Sequence, residues 1–259
     1  MKIAHHTVTL VALNVAMAVC LGCRDMPGYP TATKEATRPS EVLDFKTLYE
    51  QNCSGCHGEN GRGGAAIALN NPAYLAVAGA ETLHGATAQG MQGTLMPAFA
   101  RSSNGMLTDE QVDALVHGML QTWGKPAEFA GMTLPAYASS GSGDAAAGEK
   151  AYLTACARCH GADGSGVHAG HEGAMQHSIV DPSYLALVSD QSLRSVVIAG
   201  HPEESALDWR TYVAGRPLTD QEIRNIVAWL GTHRPAIDEP QSNAIPPTPV
   251  PAKTGKEAP

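Results

Sequence analysis

Apolar residues in this chain recur at helical spacing, and the same spacing returns about a hundred residues later. Phe45, Leu48, Tyr49 and Asn52 fall on one helical face, with Ser40 ahead of them as the expected N-cap. Val112, Leu115, Val116 and Met119 fall on another face. It is opened by Thr108-x-x-Gln111, a capping box in which each side chain satisfies a free backbone N–H of the first turn. In the second half, Asp144 precedes a helix expected over Ala145–Ala155, which sets Tyr152 where the first helix has Tyr49. Thr219-x-x-Glu222 then opens a helix whose apolar face is Ile223, Ile226, Val227 and Leu230. The expected fold is all-α, two small helical modules in tandem.

Residue identities repeat with the pattern. Cys53, Cys56 and His57 return as Cys156, Cys159 and His160, an offset of 103. Asn71-Pro72-Ala73-Tyr74-Leu75 returns as Asp181-Pro182-Ser183-Tyr184-Leu185 at offset 110, which Leu83/Leu193 and Gly90/Gly200 keep. Thr108-Asp109-Glu110-Gln111-Val112 returns as Thr219-Asp220-Gln221-Glu222-Ile223 at offset 111. The second module thus carries extra residues just after its cysteines. Aromatic residues are only 5% of the chain, so each module has little side-chain volume for a core of its own. A bound apolar group would supply it, and the chain without that group is expected to fold poorly.

Outside the repeats, Lys2 precedes an apolar run from Val8 to Leu21 that only Thr9 and Asn14 interrupt. A basic start and a short apolar run ending in small residues describe an export signal. The run ends in Cys20-Leu21-Gly22-Cys23, which resembles a bacterial lipoprotein signal, although Cys20 stands where Leu is usual. That resemblance implies a signal over residues 1–22, lipidation of Cys23 and a tether over residues 23–40. The mature chain is expected on the periplasmic side of a bacterial membrane, held there by the lipid. After residue 22, no apolar segment reaches the roughly 18–20 residues of a spanning helix. A net charge of −8 speaks against nucleic acid, whose phosphates need a basic stripe.

Four of the six cysteines lie in the repeats, as Cys53-Ser54-Gly55-Cys56-His57 and Cys156-Ala157-Arg158-Cys159-His160. Cys-x-x-Cys-His is the attachment signal of haem c. Two thiols at this spacing reach the two vinyl groups of one porphyrin, and the adjacent imidazole is set to bind its iron. A thioredoxin-like dithiol or half of a zinc site would use similar spacing. Two copies in an exported chain, each followed by a Gly-rich polar loop, favour two covalent haems.

On these motifs each module resembles a class I cytochrome c domain, over residues 41–123 and 144–234. The whole chain is similar to exported dihaem c-type cytochromes. The resemblance implies terminal helices crossing beside a haem, with His57 and His160 as proximal ligands. Residues 124–143 read as a flexible linker, and the Pro-rich residues 235–259 as a disordered or extended tail. Leu95-Met96-Pro97-Ala98-Phe99 resembles the family's Met-Pro-x-Phe pattern, which makes Met96 the expected sixth ligand of the first iron. Met91 and Met106 are its competitors.

The second module departs from that pattern, because offset 110 places Ala206 at the Met96 position. His201 is the first choice of ligand there, since it aligns with Met91 in the same loop. His168, His171, His177 and Met175 lie nearby in the sequence, and a five-coordinate or water-bound iron stays open. His84 and His117 are read as surface or packing residues. The resemblance implies a single-electron carrier or subunit, not an enzyme. Its redox partners would be a quinol-oxidising complex or a terminal oxidase. The alternative is a haem enzyme, or a gas or peroxide sensor, using an open second iron.

Overall fold

The structure is a computed structural model that describes residues 37–166, 178–200 and 207–236. Cys23, His168, His171, Met175, His177, His201, Ala206, the signal segment, most of the tether and nearly all of the Pro-rich tail lie outside the described residues. The chain divides into two compact units, residues 1–42 and 43–259. In the first, the described part centres on one 3-10 turn, Pro39–Glu41, closed by Arg38 N–H donating to the Glu41 carboxylate.

The second unit holds both repeats. Helix α1 (Phe45–Asn52) is capped by Asp44, whose carboxylate accepts from Thr47 N–H at 2.8 Å. The N-cap expected at Ser40 is therefore corrected. Ser40 lies inside the preceding turn, and Asp44 satisfies an N–H at the start of α1. A single turn, α2 (Ser54–His57), carries the cysteine motif. Then come α3 (Pro72–Gln89), interrupted at Gly79, and α4 (Asp109–Trp123), opened by the expected capping box.

The second repeat follows as α5 (Ala145–Ala155), α6 (Ala157–His160), α7 (Pro182–Leu187), α8 (Asp190–Ala199) and α9 (Asp220–Gly231). Gly79 breaks α3 with φ +67, a left-handed conformation that favours glycine. Its repeat counterpart Ser189 makes the break between α7 and α8 differently, as an extended N-cap accepting from Ser192 N–H at 3.1 Å.

Both expected apolar faces are inside. Val112, Leu115, Val116 and Met119 are buried in the first repeat, and Ile223, Ile226, Val227 and Leu230 in the second. Among the described residues there are no strands, only isolated bridges between Ala100 and Leu107 and between Val213 and Arg216. The all-α expectation holds.

The first and last helices of each repeat pack closely, α1 on α4 and α5 on α9. Glycine permits each approach. A Cβ on Gly118 would enter the ring of Phe45, and one on Gly148 would strike the Asn225 carbonyl and lie 2.9 Å from Trp229 Cβ.

The stretch between the repeats is not a free joint. Phe129 is buried and stacks on Trp209, with ring centroids 6.0 Å apart and planes 13° from parallel. The buried Arg194 of α8 donates to the carbonyls of Ala136 and Tyr137 and pairs with Asp220. Tyr137 also packs edge-on against Tyr74 of α3, at 6.4 Å between centroids. Glycine and serine suggested looseness here, but two aromatic anchors and a buried guanidinium strap the segment to both repeats.

Candidate haem sites

Each cysteine motif stands on one short helical turn that continues the first helix of its repeat. Cys53 is the C-cap of α1 and the N-cap of α2; Cys156 holds the same place between α5 and α6. This places both thiols and the imidazole of each motif within one turn and its cap. All four thiols are free; Cys56 is exposed, and Cys53, Cys156 and Cys159 are half-buried. Burial, with the neighbouring cysteine adding to it, pushes the Cys53 and Cys156 thiols up to about 11. A thioredoxin-type dithiol needs the opposite, a thiol acidic enough to be a thiolate near neutrality. Among the described residues no group of three or more His, Cys, Asp or Glu is placed to hold a metal ion.

His57 is prepared as a ligand. It is buried, which lowers its basicity and keeps the ring neutral, while its hydrogen bond to the Ile67 carbonyl acts in the opposite sense. Nδ1 lies 2.8 Å from that carbonyl, which can only accept, so Nδ1 carries the proton and the Nε2 lone pair is left for a metal. The repeat positions of Ile67 fall among residues 167–177, outside the described residues.

The turn after each histidine is held identically. Gly58 and Gly161 both sit at φ +79. Tyr49 Oη donates to the Gly58 carbonyl at 2.8 Å, and Tyr152 Oη donates to the Gly161 carbonyl at 2.5 Å. Trp123 packs edge-on against Tyr49 at 5.0 Å, while Trp229 stacks on Tyr152 at 4.1 Å. The donor set in each repeat, two free thiols and an imidazole, fits covalent haem c, and in the first repeat the ring's free nitrogen is fixed.

Met96 is half-buried on the loop that leaves α3. Its carbonyl accepts from Met91 N–H at 3.1 Å, and its own N–H donates to Thr94 Oγ1 at 3.2 Å. The chain then returns along α3, with Phe99 N–H on the Thr87 carbonyl and Ala100 N–H on that of Ala88, each at 3.1 Å. Met106 is 81% exposed, turned to solvent rather than into the fold. In the second repeat the same return is made by Trp209, whose N–H donates to the Ile198 carbonyl at 3.0 Å. Its sixth-ligand candidate His201 and the alanine at the Met96 position lie outside the described residues. His84 is partly exposed, with Nε2 3.3 Å from the Asp113 carboxylate, and His117 is exposed, as expected of surface residues.

Sequence reasoning missed the tyrosine latches and the seam between the repeats. The latches could have been found from the exact return of Tyr49 as Tyr152 beside each motif. The seam has one trace in the sequence, the change from Asn71 to Asp181 in an otherwise similar segment.

Residues 40–117 match the family model described as cytochrome c oxidase, cbb3-type, subunit III. Residues 145–234 match the family model of cytochrome c. A chain of the Kuenenia stuttgartiensis reducing HAO-like protein complex is similar at 16% identity, with a TM-score of 0.42, covering 76% of this chain and 99% of that one. No curated protein sequence matches the chain significantly. Cytochrome c domains transfer electrons through covalently held haem, and on the two family matches this chain belongs to the c-type cytochromes, with two such domains in tandem.

Proposed function

We propose that the chain is a dihaem electron carrier, or the electron-transfer subunit of a membrane redox complex, working in the periplasm. The observation that carries this reading is the buried, neutral His57, oriented by the Ile67 carbonyl and directly following the second of two thiols at haem-attachment spacing. Haem bound there would supply one-electron chemistry at its iron. Cys53 and Cys56 would hold the first haem as thioethers, and Cys156 and Cys159 the second. His57 and His160 would each present a ring nitrogen to iron, and Met96 in the first repeat and His201 in the second would be the further ligands. A thioether ligand favours the reduced state, so a Met96 haem would sit at higher potential than a bis-histidine one.

Lipidation at Cys23 would keep the carrier at the membrane. The net charge of −8 would steer it toward a basic face on a quinol-oxidising complex or a terminal oxidase. A second reading, a haem enzyme or gas or peroxide sensor, is favoured by Ala206 at the repeat position of Met96, because alanine cannot bind iron.

Protein matured in a haem-ligating host should carry two added haem masses. One is lost on replacing Cys53 and Cys56 by alanine, the other on replacing Cys156 and Cys159. Both ferric haems should be low-spin, and the reduced protein should not bind carbon monoxide. A high-spin signal that responds to carbon monoxide or peroxide would favour the second reading. Absence of any haem mass would overturn both.

A further inference from the structure

Asn71 belongs to two helices at once. Its Oδ1 caps α3, accepting from Ala73 N–H at 2.9 Å and Tyr74 N–H at 3.2 Å. Its Nδ2 crosses to the other repeat and donates to the carbonyl of Ala199 at 2.8 Å, with Gly200 at 3.4 Å. Ala199 ends α8, where helix carbonyls lack partners of their own helix. One carboxamide therefore satisfies the N-terminus of a helix in the first repeat and the C-terminus of a helix in the second. It does so at 4% exposure, where a polar group without partners is costly.

The repeat itself supplies the control. Asp181 holds the equivalent position and caps α7 through Ser183 and Tyr184 N–H, both at 2.9 Å. A carboxylate accepts but cannot donate. The acid thus stands where a cap alone is needed, and the amide where a cap and a donor are needed.

Helix α8 is also held by the segment between the repeats, through Arg194 and through Gln191, which donates to the Tyr137 carbonyl at 2.9 Å. Gly200, the C-cap of α8, packs against residues beside the second cysteine motif. An added Cβ would strike the Leu207 carbonyl and lie 3.1 Å from Tyr212 Oη, and the Tyr212 phenol is raised by burial and by the nearby Cys156. We infer that Asn71 is a positioning residue for the second haem. By fixing the end of α8 from the first repeat, it makes the potential of one haem depend on contact with the other module. This rests on the reading that Cys156, Cys159 and His160 hold a haem.

The test uses the holoprotein and two variants. Asn71→Asp keeps the cap on α3 and removes the donor; Asn71→Ser keeps a neutral cap and removes the amide. In both, the first haem should keep its spectrum and potential, and the second haem's potential should shift. Backbone amide exchange at the end of α8 should quicken about tenfold, as expected from the loss of one buried hydrogen bond. Unchanged second-haem potential and unchanged exchange in both variants would overturn the inference while leaving two bound haems in place. A shift in Asn71→Asp alone would reduce the effect to added charge and would also overturn it. A parent protein with no haem on Cys156 and Cys159 would remove the underlying reading itself, which mass spectrometry distinguishes from either result.

Discussion

Gly118 lies against the ring of Phe45, so closely that a Cβ on it would enter the ring. In the second repeat the partners are exchanged: Gly148 occupies the position of Phe45, and Trp229 that of Gly118. Each helix crossing thus has one aromatic residue and one glycine, on opposite helices in the two modules. The indole space is conserved too. Trp123, from the end of α4, reaches Tyr49 and Gly61, as Trp229 reaches Tyr152 and Gly164. Gly118→Val should destabilise the first module by about 1–3 kcal/mol through overpacking, measured by denaturant unfolding. Adding Phe45→Ala should recover part of that loss, since the collision is with its ring. A Gly118→Val protein as stable as the parent would refute the close approach.

The tyrosine latches give an alkaline signature. Burial pushes Tyr49 and Tyr152 each up to about 12, from an ordinary phenol value near 10. Their folded-state values are raised, so their contribution is complete below about pH 10 and is lost as pH rises toward 12. Unfolding midpoints should fall across that interval in the parent. Tyr49→Phe with Tyr152→Phe should flatten the fall, because phenylalanine does not titrate, while costing about 1 kcal/mol per lost hydrogen bond at neutral pH. An equal slope in both proteins would count against the latches.

At the acid end the last helix provides the probe. Glu222 completes the capping box of α9 and meets Arg216 in a two-pronged pair at 2.7 and 2.8 Å. The Arg216 guanidinium, helped by Thr219, holds its carboxyl down at about 2. A depressed carboxyl contributes stability above about pH 4.5 and loses it as pH falls toward 2. Glu222→Gln should therefore destabilise the second module by about 1 kcal/mol at neutral pH. The difference from the parent should shrink below pH 4.5. A difference that persists at pH 2 would show that the pairing charge is not its source.

The sequence made the periodic features legible. Both cysteine motifs, both capping boxes and both apolar faces repeat at nearly constant offsets, and each is a local property of a few residues. The exchanged crossing was hidden because Phe45/Gly148 and Gly118/Trp229 are mismatches when read singly and compensate only in space. Ser40 and Asp44 are both competent caps; which one meets free N–H groups is decided by where the backbone turns. The bridging role of Asn71 depends on a carbonyl 128 residues away, beyond the reach of any local pattern.

The segment between the repeats shows the same limit and offers a direct measurement. Phe129 stacks on Trp209, and the guanidinium of Arg210 lies near both rings, 4.4 Å from the centre of Phe129 and 5.5 Å from that of Trp209. Arg210 is held flat by Asp208, through Nε at 2.9 Å and Nη2 at 2.6 Å, and a further contact of Nη1 with the Glu128 carbonyl at 3.4 Å ties it to the segment. Phe129→Ala should cost about 3 kcal/mol, the usual penalty for removing a buried aromatic ring. It should also change Trp209 fluorescence and open residues 126–137 to limited proteolysis, with the cut yielding the two repeats as separate fragments. A free joint would be cut equally fast in parent and variant, so equal rates would restore the reading of a flexible linker.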